Sequence, residues 1–400
     1  EGIVFAAEVL IDALSADTSI LIADCDPNVF SYQLPEPEAD GARLDSERIV
    51  TRLQCVEVLA GAFFGVVSRV EWGKRKQCDG GRDMTEFTCE KLWEYNGNKW
   101  GTKNFVLMGI VLYFFQVSRA GQDALSTETL TITRKALGKT FVSDAALFCP
   151  IDLQQDRVSI HGFTGDAHLQ ADFANEYLGG GVLGGGGSQE ESMFVECTEL
   201  LVTMYLVEKM LPFEAVEIAG AKKYVEHNMM GSRSCKKSEQ FCRPAAVAQT
   251  AVTAVALDAI CFNKHGSVQK HDQYQAVHIL RELRKCLVAL STPCRTPVAD
   301  ARMRSFVTGL WGCGAFRGDA ELKCIIQWIC CSLEPTIDRM IFCPFDQHRQ
   351  LVDGGLAQLM EKLTNKLPVK TVLDLLIEDR DYLRSSSTFG YLLGKLAAMT

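Results

Sequence analysis

The sequence predicts an α/β protein, with a three-layer α/β unit from about residue 124 onward behind an all-helical N-terminal region over 1–123. Three observations point there. Runs of period-two alternation, the mark of half-buried strands, occur beyond residue 124. Stretches at helical period separate them, as in sheets whose crossovers are helices. Before residue 124 the apolar spacing reads as helical.

In the N-terminal region, Asp45 or Ser46 is placed to cap a helix over 45–70, with Ile49, Leu53, Val56 and Leu59 at helical spacing. A polar stretch over 73–83 separates it from a second helix over 103–119. That helix holds the longest apolar run, eleven residues over 105–115, too short to span a bilayer and suited to burial. No membrane association is expected. Gly121, Gln122 and Asp123 read as a boundary. Beyond it, 129–133, 157–161 and 168–173 read as strands, the last leading into a glycine-rich loop. A helix over 199–211, a strand over 215–220 and an apolar run over 252–262 ending in a strand follow. An amphipathic helix over 275–290, a strand over 304–308, a helix over 319–332 and a strand over 339–343 complete the pattern, with helices to the end. Because the chain opens at Glu1 rather than Met, a fragment of a longer protein is expected.

Composition narrows the function classes. Four hundred residues, 47% of them hydrophobic, can bury a sizeable core. A net charge of −9 disfavours a surface-wide grip on nucleic acid, and no direct DNA binding is expected. The 16 cysteines include no Cys-x-x-Cys pair. Cys261, Cys324, Cys330 and Cys331 lie in apolar stretches, so free buried thiols in a reducing compartment are expected. Cys235 and Cys242, in a polar segment, are the pair to check first for metal or oxidation.

The chemistry concentrates in Gly179-Gly180-Gly181-Val182-Leu183-Gly184-Gly185-Gly186-Gly187-Ser188-Gln189-Glu190-Glu191. Glycines let backbone lie against a ligand, and adjacent acids can move protons at its edge. Two bland readings stand beside this: a flexible linker, and two acids at a helix N-terminus. The spacing from Gly179 to Gly184 formally fits a dinucleotide fingerprint, but more glycine follows where a helix should open. Gly138-Lys139-Thr140 lacks the first glycine of a P-loop, and Ser188 is in no nucleophile elbow. A second turn, Gly309-Leu310-Trp311-Gly312-Cys313-Gly314-Ala315-Phe316-Arg317-Gly318-Asp319, joins a strand to a helix, where amides form a ready anion site. Glu190 and Glu191 point about 100° apart on a helix, so they divide tasks. Asp172 either caps a turn or, with Asn175, presents polar groups to a sugar beside Phe173.

These motifs resemble poly(ADP-ribose) glycohydrolase. The glycine triplet and Gln189-Glu190-Glu191, seven residues apart, match the family signature; Ala171-Asp172-Phe173-Ala174-Asn175, Leu257-Asp258-Ala259, the Trp311–Phe316 turn and Val58–Phe64 are similar as well, in the same order, over about 50–345. The resemblance implies a macrodomain-like three-layer α/β/α sandwich with a mixed sheet, over 124–400 with C-terminal helices, beside the helical accessory region. It implies hydrolysis of ribose–ribose O-glycosidic bonds in poly(ADP-ribose), mainly exo, with no metal or organic cofactor. Glu191 would be the acid/base, a role that requires burial or nearby negative charge to keep a proton near neutral pH. Glu190 and Asn175 would hold ribose hydroxyls, and Asp172 would support Glu191 or the bound sugar from beside the strand. Phe173 and Gln189 would line the substrate, and Gly179, Gly180 and Gly181 would contact the diphosphate and its riboses through backbone amides. Gly312, Cys313, Gly314, Ala315 and Phe316 would contact the diphosphate and riboses, Phe316 by packing.

Departures from the family are Leu310, where animal members have Asn, and Arg317, where they have Gly. The adenine-stacking tyrosine has no clear counterpart: Tyr224 is present, but Met229 or Met230 is nearer the position. The stretch 222–243, with six Lys or Arg, is either a solvated loop or an attractor for the polyanion. Expected partners are poly(ADP-ribose) and ADP-ribosylated proteins, for a monomer in the nucleus or cytoplasm. The alternatives are a non-catalytic reader of chain ends and an enzyme acting on single protein-linked units.

Overall fold

The computed structural model describes residues 1–16, 34–39, 42–66, 87–93, 102–138, 145–156, 158–228, 241–245, 251–263, 268–293, 302–378 and 387–399. Its strands are β1 (Arg43–Thr51), β2 (Thr129–Leu137), β3 (Ile151–Leu153), β4 (His168–Asp172), β5 (Glu214–Lys222), β6 (Val225–His227), β7 (Cys242–Pro244), β8 (Ala251–Ala256), β9 (Arg304–Gly309) and β10 (Ile337–Cys343). Eight of them form one mixed sheet in the order β1-β2-β5-β8-β4-β9-β10-β3, while β6 and β7 pair as a separate ribbon. The β1–β8 half is antiparallel, and β8, β4, β9, β10 and β3 run parallel. The parallel half aligns the carboxyl ends of β4 and β9, and each opens into a glycine turn.

The helices are α1 (Gly2–Ala16), α2 (Arg52–Phe63), α3 (Glu90–Trp93), α4 (Thr102–Val117), α5 (Gln122–Thr127), α6 (Gln189–Glu196), α7 (Leu201–Leu206), α8 (Ala276–Leu290), α9 (Ala320–Leu333), α10 (His348–Asp353), α11 (Leu356–Leu363), α12 (Val369–Glu378) and α13 (Thr388–Ala398). Strand alternation divides the core in two. Ile132, Ile218, Ala254 and Ala256 pack with α1, α2, α4, α6 and α7 on one face. Leu169, Ala171, Val255 and Phe306 pack with α8, α9 and the C-terminal helices on the other. The result is the expected α/β/α sandwich with a mixed sheet. The N-terminal helices share their core with α6, so they buttress the helix that carries Glu190 and Glu191.

Four expected elements differ. The strand expected at the end of the 252–262 run opens it instead, as β8, and 257–262 is not a strand. The helix expected over 45–70 starts only at Arg52, because Arg43–Thr51 is a strand pairing along its length with β2. The N-terminal segment is therefore not all helical; it adds an edge strand to the sheet. Thr51 caps α2: its side chain accepts from the Gln54 amide at 3.1 Å, and the Gln54 side chain accepts from the Thr51 amide at 2.9 Å. The strand expected over 157–161 is instead, where described, a 3-10 turn over Ile160–Gly162, folded by the Ser159 side chain accepting from the His161 amide at 3.2 Å. The helix expected over 199–211 splits into a 3-10 turn and α7 and ends at Leu206. Val207 goes extended, and the Met210 amide then reaches the Glu176 carbonyl at 2.8 Å. The expected stretch over 73–83 lies outside the described residues.

All twelve described cysteines are free, and most are buried. Cys242 is half-buried, which pushes its thiol up to about 12, and Cys235 lies outside the described residues. Among the described residues, no group of three His, Cys, Asp or Glu side chains could hold a metal ion. No described helix is long and apolar enough to cross a membrane.

Candidate active site

β4 ends at Asp172, and the chain turns at once, with the Asn175 side chain accepting from the Tyr177 amide at 3.1 Å. Gly179 and Gly180 then take left-handed φ values of 80° and 50°. Val182 and Leu183 form one 3-10 turn with both side chains buried, and Gly185 closes it at φ 87°. The run is a folded loop with an apolar plug, not a linker. α6 begins at Gln189 and turns both acids back into it.

The two glutamates are held differently. Glu190 accepts from the Gly179 amide at 2.7 Å and the Asn175 amide at 3.0 Å. Glu191 accepts from the Gly181 amide at 3.1 Å and the Ser188 amide at 2.6 Å. The Ser188 contact caps the helix, so the bland reading of an acid at a helix N-terminus is realised in part, in the same residue. The glycines make room for these carboxylates. A Cβ at Gly180 would lie 2.6 Å from Glu190 Oε2 and 3.1 Å from Glu191 Oε1, and one at Gly186 would lie 2.7 Å from Glu191 Oε1.

Asp172 lies behind them. It is fully buried, and neither of its carboxylate oxygens has a hydrogen-bond partner among the described residues. Burial raises its pKa well above the ordinary carboxylate range, and the charge of Glu191 raises it further. Burial likewise raises Glu190, assisted by Asp172 and Glu191 and opposed by the amides of Asn175 and Gly179. Exposure falls from 8% at Glu191 to 2% at Glu190 and 0% at Asp172, so solvent reaches the cluster at Glu191.

Gln189 does not face outward. Its Oε1 accepts from the Phe173 amide at 2.8 Å and its Nε2 donates to the Ala171 carbonyl at 3.1 Å, so it grips the backbone on both sides of Asp172. Behind it stand His161 and Glu196, two residues the sequence reading missed. His161 Nε2 is 3.0 Å from Gln189 Nε2, and His161 Nδ1 is 3.2 Å from Glu196 Oε2. Burial would raise Glu196, but His161, Lys223 and His227 outweigh it and hold the carboxyl at about 2.

The second turn is anchored from below. Trp311 is buried and donates from its indole to the Leu257 carbonyl at 3.0 Å, with Lys323 Nζ 3.9 Å above the ring. Lys323 is itself paired with Glu282. Gln327 fixes the end of β9, accepting from Thr308 Oγ1 at 2.5 Å and donating to the Gly309 carbonyl at 3.0 Å. Gly312 has φ 72°, and a Cβ there would meet the Cβ of Ala259 at 2.6 Å. The amides of Cys313, Arg317 and Gly318 bond within the turn. Those of Gly314, Ala315 and Phe316 make no hydrogen bond among the described residues, and Gly314 and Ala315 are exposed. Burial pushes the Cys313 thiol up, away from the thiolate.

The fold thus brings the two turns to neighbouring strand ends, with Phe173 and Phe316 both half-buried there. Of the departures, Leu310 packs towards the α8–α9 core. Arg317 is exposed and holds φ 64°, a left-handed conformation that glycine adopts freely. Tyr224 is a core residue whose hydroxyl donates to Glu199 at 2.6 Å, and Glu199 is paired with Arg52 of α2. Met229, Met230 and most of the basic stretch lie outside the described residues.

Residues 143–351 match the family described as poly(ADP-ribose) glycohydrolase, macro domain fold. Poly(ADP-ribose) glycohydrolase 1 of Caenorhabditis elegans is 34% identical over 216 residues, covering 51% of this chain and 26% of that protein. Poly(ADP-ribose) glycohydrolase 1 of Arabidopsis thaliana is 27% identical over 262 residues, covering 48% of this chain and 47% of that protein. The chain therefore spans between about a quarter and a half of the length of these relatives. A solved poly(ADP-ribose) glycohydrolase from Deinococcus radiodurans in complex with ADP-ribose overlaps 52% of this chain and 81% of its own at 12% identity, with a TM-score of 0.34, too low to add to the assignment. The family match covers more than half of the chain and contains both glycine turns and all three carboxyl groups: the chain belongs to the poly(ADP-ribose) glycohydrolase family.

Proposed function

We infer that this chain is a glycosidase that hydrolyses ribose–ribose O-glycosidic bonds of poly(ADP-ribose), chiefly from the chain end, and releases ADP-ribose. The observation that supports this most directly is the carboxyl cluster, in which Glu191 alone keeps an edge open to solvent while burial holds Asp172 and Glu190 towards their protonated forms. Cleavage of a glycosidic bond needs an acid at the leaving oxygen and a base for water. Glu191 is assigned both, protonating the leaving ribose oxygen as positive charge builds on the sugar and then accepting a proton from the attacking water.

Glu190 and Asn175 are assigned to the ribose hydroxyls, and Phe316 to packing on the sugar. The free amides of Gly314, Ala315 and Phe316 suit a diphosphate, for which backbone donors in a tight turn are a fitting receptor. The amides of Gly179 and Gly181 serve the two carboxylates, so the first loop contributes a bare surface rather than donors. The reading needs no metal or organic cofactor. Its partners are poly(ADP-ribose) and ADP-ribosylated proteins, met by a monomer in the nucleus or cytoplasm.

Incubation with automodified polymer tests it: free ADP-ribose is expected, and polymer that stays intact after prolonged incubation leaves a reader of chain ends or an enzyme acting on single protein-linked units. Glu191→Gln is expected to lower turnover by about 10²–10⁴-fold, the usual worth of a positioned acid/base. ADP-ribose binding by that variant, measured by calorimetry, should persist. A variant that keeps most of its turnover removes Glu191 from the role.

A further inference from the structure

We propose that His161, held by Glu196, is a positioning residue that fixes Gln189 and through it the backbone carrying Asp172, and that a second proton on His161 releases this grip. The inference rests on the hydrolase reading above only for its effect on turnover; the contact chain stands on geometry alone.

The orientation of Gln189 follows from what its neighbours can do. The Phe173 amide can only donate, so the side-chain atom 2.8 Å from it is the oxygen. The Ala171 carbonyl can only accept, so the atom 3.1 Å from it is the nitrogen. Both backbone partners demand the same orientation. The group 3.0 Å from His161 Nε2 is therefore an NH2, and His161 Nε2 has to accept from it. The single proton of the neutral ring then sits on Nδ1, where Glu196 Oε2 accepts it at 3.2 Å.

A doubly protonated His161 places N–H against N–H at Gln189. Either the contact breaks or the amide turns over, and a turned amide sets its NH2 against the Phe173 amide and its oxygen against the Ala171 carbonyl. A turned amide gives up the clamp on both sides of Asp172, and a broken contact leaves that clamp without the acceptor that fixes its orientation. The Asp172 carboxylate has no hydrogen-bond partner among the described residues, so its backbone places it, held by Gln189 on both sides and at its own carbonyl by the Ala174 and Leu257 amides at 2.8 and 3.2 Å. The charged and titratable groups on the elements packed around His161 are Glu196 on α6, Lys223, 2.9 Å from Glu196, and His227, against the Ser192 carbonyl at 3.1 Å. On the strands beneath the turn, β4 carries His168 and Asp172, and β9 carries Arg304.

Nitrogen-15 NMR of the imidazoles in the whole chain tests the contact without any activity. The neutral His161 ring is expected with its proton on Nδ1, and the backbone amides of Asp172 and Phe173 should shift with the same midpoint as His161 when the pH is lowered. A proton on Nε2 in the neutral ring, or Phe173 shifts that do not follow His161, overturns the proposal. Two variants test its consequence. His161→Leu should lower kcat by roughly 10–100-fold, the usual cost of a displaced catalytic group. His161→Gln keeps an acceptor for Gln189 and cannot titrate, so it should restore most of kcat. The ratio of wild-type to His161→Gln kcat/KM should fall as the pH drops through the His161 midpoint seen by NMR. A ratio independent of pH overturns the role in turnover, even with the NMR result in hand. If the wild-type chain releases no ADP-ribose, the hydrolase reading fails, and the NMR outcome still decides the contact chain.

Discussion

The two glycine turns sit on neighbouring strands and use glycine for opposite ends. In the first, the missing side chains leave room inside the protein: the space a Cβ would take at Gly180 or Gly186 is filled by the oxygens of Glu190 and Glu191. Its amides point inward to the same carboxylates. In the second, the crowded glycines are pressed against the scaffold, Gly309 at the Cys343 carbonyl and Gly312 at Ala259, and the amides of Gly314, Ala315 and Phe316 are left open. One turn houses an acid cluster and the other presents open amides. Glycine content alone does not separate them; what stands opposite each absent Cβ does.

The sharpest way to break this contrast is to put a methyl group into each turn. Gly180→Ala strains a residue at φ 50° and drives a methyl into Glu190 and Glu191, neither of which can retreat without leaving its amide partners. Turnover should fall by about 10²-fold or more through displaced acids, with about 1–2 kcal/mol of stability lost to the left-handed backbone. Gly314→Ala meets open space and should leave stability within about 0.5 kcal/mol. Steady-state kinetics and urea melts on the pair decide the matter; equal effects of the two substitutions would mean that both turns are ordinary tight turns.

The site was more legible than the fold beneath it, for a physical reason. Asp172, Asn175, the glycine triplet and Gln189-Glu190-Glu191 fall within twenty residues, so one strand, one loop and one helix start bring them together locally. His161 and Glu196 reach Gln189 through a tertiary contact across 28 residues of chain, and no spacing announces it. β1 was missed differently. The helical periodicity of Leu53, Val56 and Leu59 belongs to α2 and was extended upstream. Ile49-Val50-Thr51 is a β-branched run, and Thr51-x-x-Gln54 is a capping box marking where the helix starts. Strand order in the sheet, with β8 between β5 and β4, has no signature in any single segment.

The first turn should also carry a stability cost at Asp172. Asp172 has a raised pKa in the folded chain, so the folded state holds a proton that the unfolded state releases at lower pH. Its contribution is therefore least harmful below the ordinary carboxylate range. As the pH rises through the interval between the unfolded and folded values, stability is lost, and it stays low above. Asp172→Asn removes that titration. It should raise stability at neutral pH by on the order of 1–3 kcal/mol while reducing turnover, and the gain should shrink towards pH 4. Thermal melts across pH measure it. A gain that grows on acidification would mean that Asp172 is ionised and paired.

The second turn has a smaller strain of its own, at its rim. Arg317 sits at φ 64° with its side chain exposed, in a position where glycine would be unstrained. Arg317→Gly should relieve about 1 kcal/mol of backbone strain, partly offset by the extra freedom glycine gives the unfolded chain, for a net gain of about 0.5 kcal/mol. If the strain is kept because the guanidinium meets a phosphate of the ligand, the same variant should bind ADP-ribose more weakly and with a shallower dependence on salt. Paired urea melts and calorimetry at two ionic strengths separate the outcomes. A stability gain with unchanged affinity makes Arg317 a tolerated strain without a role. A loss of both would mean that the side chain holds the turn together, and the open amides of Gly314, Ala315 and Phe316 would then depend on it.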